Sequence, residues 1–97
     1  MLHRLVIRDV AAAEAVHARD WYENARKGLG ERFHEALSVA LDDIQASPRG
    51  FQLRSGKYRH ARVIGFPYSV IYRFDGKTIV VVSVFHLKRR PRTRFKR

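Results

Sequence analysis

The feature that most constrains this fold is a change of hydrophobic period at Ser47-Pro48. Before this dipeptide, apolar side chains recur at steps of three and four from Leu29 to Ile44, which is the spacing of one face of a helix. After it, apolar and polar residues alternate, as they do in strands with one buried face. A helical half followed by an alternating half predicts an α+β fold.

The helical half divides into two helices at Gly28-Leu29-Gly30. Asp9 is placed as the N-cap of the first helix, which extends to Lys27 and carries a stripe of alanines that continues to Tyr22. The two glycines supply the left-handed conformation and tight reversal that a helix end needs. The second helix follows at once and stops at Ser47-Pro48. We expect an antiparallel helical hairpin.

Four segments have the residue pattern of strands. They are Leu2 to Ile7, Tyr58 to Ile64, Tyr68 to Phe74 and Thr78 to Phe85. Asp75-Gly76 predicts a tight hairpin between the last two, and residues 49–56 are predicted to be a loop. The expected fold is an N-terminal strand, a helical hairpin and a three-stranded antiparallel meander, with the helices packed on one sheet face.

The charge of the chain is concentrated at its C-terminal end. The last eleven residues hold seven of the twenty basic side chains and no acid, within a net charge of +11. At 97 residues the chain has the length of one domain. We place that domain at residues 1–91 and a basic tail at residues 92–97, which we expect to be flexible in the free protein. Such a charge attracts nucleic acids and acidic proteins.

Several site classes have no support in the sequence. There is no cysteine, and the five histidines are scattered over different elements, so no metal site is predicted. Gly28-Leu29-Gly30 follows a helix and is a turn, so neither a phosphate-binding loop nor a cofactor is expected. His3 and Arg4 interrupt the N-terminal apolar run, which is neither a signal peptide nor a membrane span. The cytoplasm is the expected compartment, with no membrane partner.

The sheet face opposite the helices is the predicted functional surface. Arg59 or Arg62, Arg73 and the strand end at His86 are expected there, because the aromatic residues of the meander share one phase with Val70 and face the helices. Cleavage of RNA through its 2′-hydroxyl needs a base, an acid and cations.

Either His86 or His60, with neighbouring arginines, could supply those groups. The same residues are also explained as solvated side chains on an exposed sheet face.

Eight short patterns follow one another along the chain: Ala13-Glu14, Trp21-Tyr22-Glu23, residues 28–33, Pro48 with Phe51, Tyr58-Arg59, Phe66-Pro67-Tyr68, Tyr72-Arg73 and residues 84–91. In this order and at this spacing they resemble the ParE/RelE toxin superfamily, from about Val10 to Pro91. They are nearest to its ParE-like members, which are often labelled plasmid stabilisation proteins.

The resemblance implies the toxin of a type II toxin–antitoxin pair in the bacterial cytoplasm, neutralised by a cognate acidic antitoxin in a hetero-oligomer. ParE-like members poison DNA gyrase, and this is the function that we expect. The first alternative is a RelE-like endonuclease that cuts messenger RNA on the ribosome, and only in that case is the chain an enzyme. The second alternative is a non-toxic nucleic-acid-binding module.

The resemblance also implies site residues. A RelE-like enzyme would use His86, Arg59 and Arg62 in catalysis, although the usual lysine pair is represented only by Lys57 and Arg54 and no tyrosine follows the last strand. Target or nucleic-acid binding is expected from seven basic residues: Arg59, Arg62, Arg73, Lys88, Arg89, Arg90 and Arg92. Trp21 and Tyr22 are the candidate contacts for the antitoxin.

Overall fold

The structure is a computed structural model that describes residues 3–88. Two helices and five strands follow one another as β1 (Arg4–Ile7), α1 (Asp9–Ala25), α2 (Leu29–Ala46), β2 (Leu53–Ser55), β3 (Tyr58–Val63), β4 (Tyr68–Phe74) and β5 (Thr78–His86). The strands form one sheet in the order β1-β5-β4-β3-β2. β1 is parallel to β5 and the other pairs are antiparallel. The helices cover one face, so the predicted α+β class is confirmed.

The sheet is larger than the predicted meander. β3, β4 and β5 form that meander, but β1 joins its edge as a parallel neighbour of β5, and the helical hairpin makes the crossover between them. β2 lies within the segment predicted as a loop and pairs with β3 through Leu53 and Arg59. Three residues are too few to show a period, so the sequence pattern could not identify this strand.

The start of α1 differs from the prediction. Asp9 is the first helical residue and not the N-cap, which is Arg8, without a side-chain capping bond. An aspartate in the first turn still lies favourably at the positive end of the helix dipole. The helix ends at Ala25, two residues before the predicted end at Lys27. Neither helix within residues 3–88 is long and apolar enough to cross a membrane.

The two helices touch at Gly30. A Cβ there would lie 2.7 Å from the carbonyl oxygen of Arg19 and 2.9 Å from the Glu23 Cβ, so only glycine allows this approach. Gly28, at the preceding turn, has a φ of 89°. The Glu23 carboxylate accepts hydrogen bonds from the Gly28 and Gly30 N–H groups at 3.0 Å, which hold its pKa below the usual 4.5. These bonds satisfy orphan donors at the start of α2.

The core lies between the helices and the sheet. As predicted, Tyr68, Val70 and Tyr72 of β4 face the helices and are buried. The Tyr72 hydroxyl donates a 2.7 Å hydrogen bond to the carbonyl oxygen of Pro48, so the strand also fixes the end of the helical hairpin. Phe33 of α2 is fully buried in the same cluster.

A β-bulge interrupts β5 opposite the Ile71–Tyr72 step of β4. Tyr72 pairs with Val81, but Ile71 pairs with Ser83, so Val82 is the extra residue. The Glu14 carboxylate of α1 accepts hydrogen bonds from the Ser83 hydroxyl and the Val84 N–H, each at 2.9 Å. The bulge shifts the alternation of β5 by one residue, so that Val84 and His86 share the helix-covered face with Val81.

Candidate functional site

The sheet face opposite the helices, here called the open face, is the candidate site. Directly paired residues on antiparallel strands share a face, so the register assigns each side chain. Ala61 and Val63 of β3 pair with the core residues Val70 and Tyr68 and face the helices. The remaining positions of β3 and β4 therefore face outward: Tyr58, His60 and Arg62 on β3, and Ser69, Ile71 and Arg73 on β4.

Four positively charged or titratable residues form a basic cluster on the β2–β4 half of this face: Arg54, His60, Arg62 and Arg73. Arg62 is exposed, while His60 and Arg73 are half-buried. Burial lowers the pKa of His60 from its usual 6.5, and the nearby charge of Arg54 lowers it further. Within residues 3–88, Arg19 and Glu31 form the one ion pair, so the arginines of the cluster are not neutralised by a carboxylate within 4 Å.

Acidic residues are nearly absent from the sheet layer. The two helices contain eight of the nine acidic residues of the chain and two of its twenty basic residues. The ninth acid is Asp75, in the turn between β4 and β5, where its carboxylate accepts the N–H groups of Lys77 and Thr78 at 2.9 Å. Those bonds, with a smaller contribution from Arg73, lower the pKa of Asp75. The molecule thus has an acidic helix layer and a basic sheet layer.

The expected placement of Arg59 on the open face is wrong. Arg59 pairs with Tyr72 and so points to the side of the sheet that the helices cover. Its guanidinium donates a 2.6 Å hydrogen bond to the carbonyl oxygen of Phe51 and a 3.3 Å bond to that of Arg49. Arg59 therefore fixes the loop between α2 and β2.

The expected placement of His86 on the open face is also wrong. His86 pairs with Tyr68, and the two rings meet edge to face with centroids 4.8 Å apart. Its Nδ1 accepts a 3.1 Å hydrogen bond from the Lys88 N–H. The bulge is the physical reason, because an uninterrupted alternation from Val81 would have turned His86 outward.

The residues predicted for a RelE-like active site are therefore separated. Arg62 lies on the open face, and so does His60, whereas Arg59 and His86 lie on the other side of the sheet. Of the remaining predicted binding residues, Arg73 lies on the open face, and Lys88 is exposed just after β5. Arg89, Arg90 and Arg92 lie outside the described residues. No group of three or more metal-ligating residues occurs within residues 3–88.

The two candidate antitoxin contacts differ in accessibility. Trp21 is 52% exposed and packs edge to face on Tyr22, with ring centroids 5.2 Å apart. Tyr22 is half-buried in an aromatic cluster with Phe33, Phe66 and Tyr68, with centroid distances of 4.9 to 6.2 Å. Trp21 is available to a partner, while Tyr22 is mainly a packing residue. In this cluster, Tyr22 of the Trp-Tyr-Glu pattern contacts Phe66 and Tyr68 of the Phe-Pro-Tyr pattern.

The helical hairpin contains a groove between α1 and α2, here called the interhelix groove. Its cavity volume is about 290 Å³, and its apolar lining includes Ala12, Ala15, Val16 and Leu41. The polar residues of the lining are Arg19, His34 and Ser38. Val16 is 59% exposed. The run of alanines in α1 is the sequence signal for it, because short side chains leave space between packed helices.

The fold is similar to that of a solved structure of the chromosomal ParDE toxin–antitoxin system from P. aeruginosa. The TM-score is 0.78 at 16% sequence identity, and the alignment covers 90% of this chain and 98% of that chain. At this identity the likeness concerns the fold alone. The family model for the ParE toxin of the type II toxin–antitoxin system parDE matches residues 5–91, so the chain belongs to the ParE toxin family. No curated protein sequence matches the chain.

Membership of this family confirms the resemblance that the sequence patterns indicated. The chain is a ParE-like toxin component of a type II toxin–antitoxin system, and the partner class that such a system includes is a cognate antitoxin.

Proposed function

We propose that this toxin poisons DNA gyrase in the bacterial cytoplasm and that its antitoxin holds it inactive in a hetero-oligomer. The observation that carries the proposal is that Arg59 and His86 lie on the opposite side of the sheet from Arg62, so the three residues that the resemblance implies for RelE-like catalysis do not form one site. An RNA-cleaving site needs its base, its acid and its cations within hydrogen-bond reach of one phosphate group. Arg59 and His86 are instead engaged in contacts that build the fold, on the side of the sheet away from Arg62.

The open face is the proposed surface for the target. It carries Arg62 and Arg73 without a neutralising carboxylate within 4 Å among the described residues, and Lys88 leaves the sheet at the end of β5. Arg89, Arg90 and Arg92 extend the basic sequence beyond it. Such a field accelerates the encounter with an anionic target.

The interhelix groove and the neighbouring Trp21 are the proposed surface for the antitoxin. The groove is mainly apolar, and the charged side chains of the two helices around it are mainly acidic. We therefore expect the antitoxin to insert an apolar segment there and to place its acidic residues near Arg19 or the sheet layer.

Purified toxin, gyrase and supercoiled plasmid test the target. With ATP present, we expect linear DNA after detergent and protease treatment, and no linear DNA once the antitoxin is added. In a parallel reaction, the toxin is incubated with a ribosome extract that contains messenger RNA. Cleavage of the messenger RNA in that reaction, with intact plasmid in the gyrase reaction, would refute this proposal and favour the ribosome-dependent nuclease.

A matched pair of exposed valines tests the antitoxin surface. Val16→Glu places a charge in the interhelix groove, whereas Val39→Glu places the same charge on α2 outside it; the two valines are 59% and 56% exposed. We expect only the Val16 variant to lose antitoxin binding in a pull-down while keeping its action on gyrase. Equal binding by the two variants would exclude the groove.

A further inference from the structure

We propose that the basic cluster of the open face binds the phosphodiester backbone of duplex DNA. This inference rests on the proposed function, because a gyrase poison acts where the enzyme holds DNA, and it names DNA as the component that the open face contacts. Its test contains no gyrase, so the two proposals can fail separately.

The geometry of the cluster favours a ligand with repeating charges. Arg73 pairs with Tyr58, and Arg62 lies four residues further along β3, so the two arginines are roughly 13 Å apart along the sheet. One anionic group cannot contact both. Each DNA strand presents a phosphate about every 3.4 Å of helix axis, which offers an anion to each arginine whatever the register.

The side chains of the cluster suit phosphate contacts. Arginine presents a planar fork of N–H donors to phosphate oxygens, and three of the four members of the cluster are arginines. His60 lies between Tyr58 and Arg62 on the same strand face, about 6.6 Å from each along β3. Asp75 is the nearest carboxylate of the sheet layer, and two backbone N–H groups already hold it in the turn.

The charge distribution favours DNA over an acidic protein as the ligand. A protein partner covers both apolar and polar surface, and the described apolar groove with its exposed Val16 lies in the helix layer. The β2–β4 half of the open face carries Arg54, Arg62 and Arg73, and its three strands contain no acidic residue. A contact between these arginines and DNA phosphates is electrostatic, independent of sequence and weakened by salt.

The test is fluorescence anisotropy of a labelled 20-base-pair duplex titrated with the full-length toxin at several salt concentrations. Wild-type protein should bind, with an affinity that falls linearly with salt on a double-logarithmic plot. The double variant Arg62→Gln, Arg73→Gln should bind about tenfold more weakly or worse, and its salt slope should be lower by about 2, since each lost phosphate contact removes about 0.9.

The matched control is Arg26→Gln, Lys27→Gln, which removes the same charge from the exposed turn between the helices. It should change the affinity less than about threefold. Thermal melts establish that the variants are folded, and Arg62→Gln alone, at an exposed position, should lower the slope by about 1.

Three results would overturn the inference. The first is that wild-type protein does not bind the duplex. The second is an equal loss of DNA affinity in both double variants, which would show that binding depends on total charge alone. The third is unchanged DNA binding by the Arg62, Arg73 variant together with loss of antitoxin binding. The last result would make the open face a protein-binding surface. Toxin that binds DNA as expected but leaves gyrase unaffected would refute the proposed target alone.

Discussion

Replacement of Glu14 by alanine should destabilise the protein far more than an ordinary surface substitution on a helix. The Glu14 carboxylate is the acceptor for two donors at the β5 bulge, the Ser83 hydroxyl and the Val84 N–H, each at 2.9 Å. Both residues are buried, with 8% and 4% of their surface exposed. Alanine would leave these donors without the carboxylate, in a position that water reaches poorly.

The magnitude follows from the cost of removing an acceptor. A hydrogen bond to a charged group contributes about 1.5–3 kcal/mol, and two bonds that share one carboxylate oxygen are not additive, so we expect a loss of about 2–4 kcal/mol. For a domain of this size that corresponds to a decrease in Tm of about 10–25 °C. Glu14→Gln keeps an acceptor oxygen without the charge and should lie between alanine and wild type.

Differential scanning calorimetry of the three proteins measures this loss, with Glu31→Ala as the control. Glu31 forms an exposed ion pair with Arg19 at 3.0 Å, with side chains 57% and 47% exposed. Such pairs contribute about 0–1 kcal/mol, so this Tm should fall by less than about 5 °C. If Glu14→Ala melted within that same range, the bulge would not depend on Glu14 and the reasoning would be refuted.

Three further predictions concern other parts of the molecule. Gly30→Ala should lower Tm by about 5–15 °C, because its Cβ would collide with the backbone of α1, and an unchanged melt would contradict the close approach of the helices. Burial holds the pKa of His60 below 6.5, so the unfolded chain binds more protons than the folded protein as the pH decreases, and the free energy of unfolding decreases with it. Between pH 7.5 and 5.5 the Tm of His60→Gln should therefore decrease less than that of the wild type. Equal decreases in Tm for the two proteins would contradict this prediction. Truncation after Pro91 should lower Tm by less than about 5 °C while weakening target binding, and a larger drop would show that the tail is part of the domain.

The sequence predicted those elements whose side chains follow a regular period. The bounds of β4 are as predicted, and α2 ends at Ala46, directly before the predicted stop at Ser47-Pro48. Both elements bury one face, so burial alone produces the pattern. The parallel pairing of β1 with β5 has no comparable signal, because it joins residues that are more than seventy positions apart in the sequence.

The two-layer charge distribution is already contained in the sequence. Eight of the nine acids lie between Asp9 and Asp43, in the segments predicted to be helical. A count of charges by predicted element indicates an acidic helix layer and a basic sheet from the residues alone. It also indicates that an acidic antitoxin meets repulsion at the helices, so that an apolar contact is the more favourable one there.

The bulge in β5 explains why the candidate site could be predicted only in part. An uninterrupted alternation across Val81 to His86 would place Ser83 and Phe85 inward and His86 outward, on the face where the histidine was expected. One extra residue reverses the phase, and the group that holds it is Glu14, about seventy residues earlier in the chain. The position of His86 thus depends on a contact between distant segments. Arg62 and Arg73, whose strands pair without a bulge between β3 and β4, lie where alternation predicts.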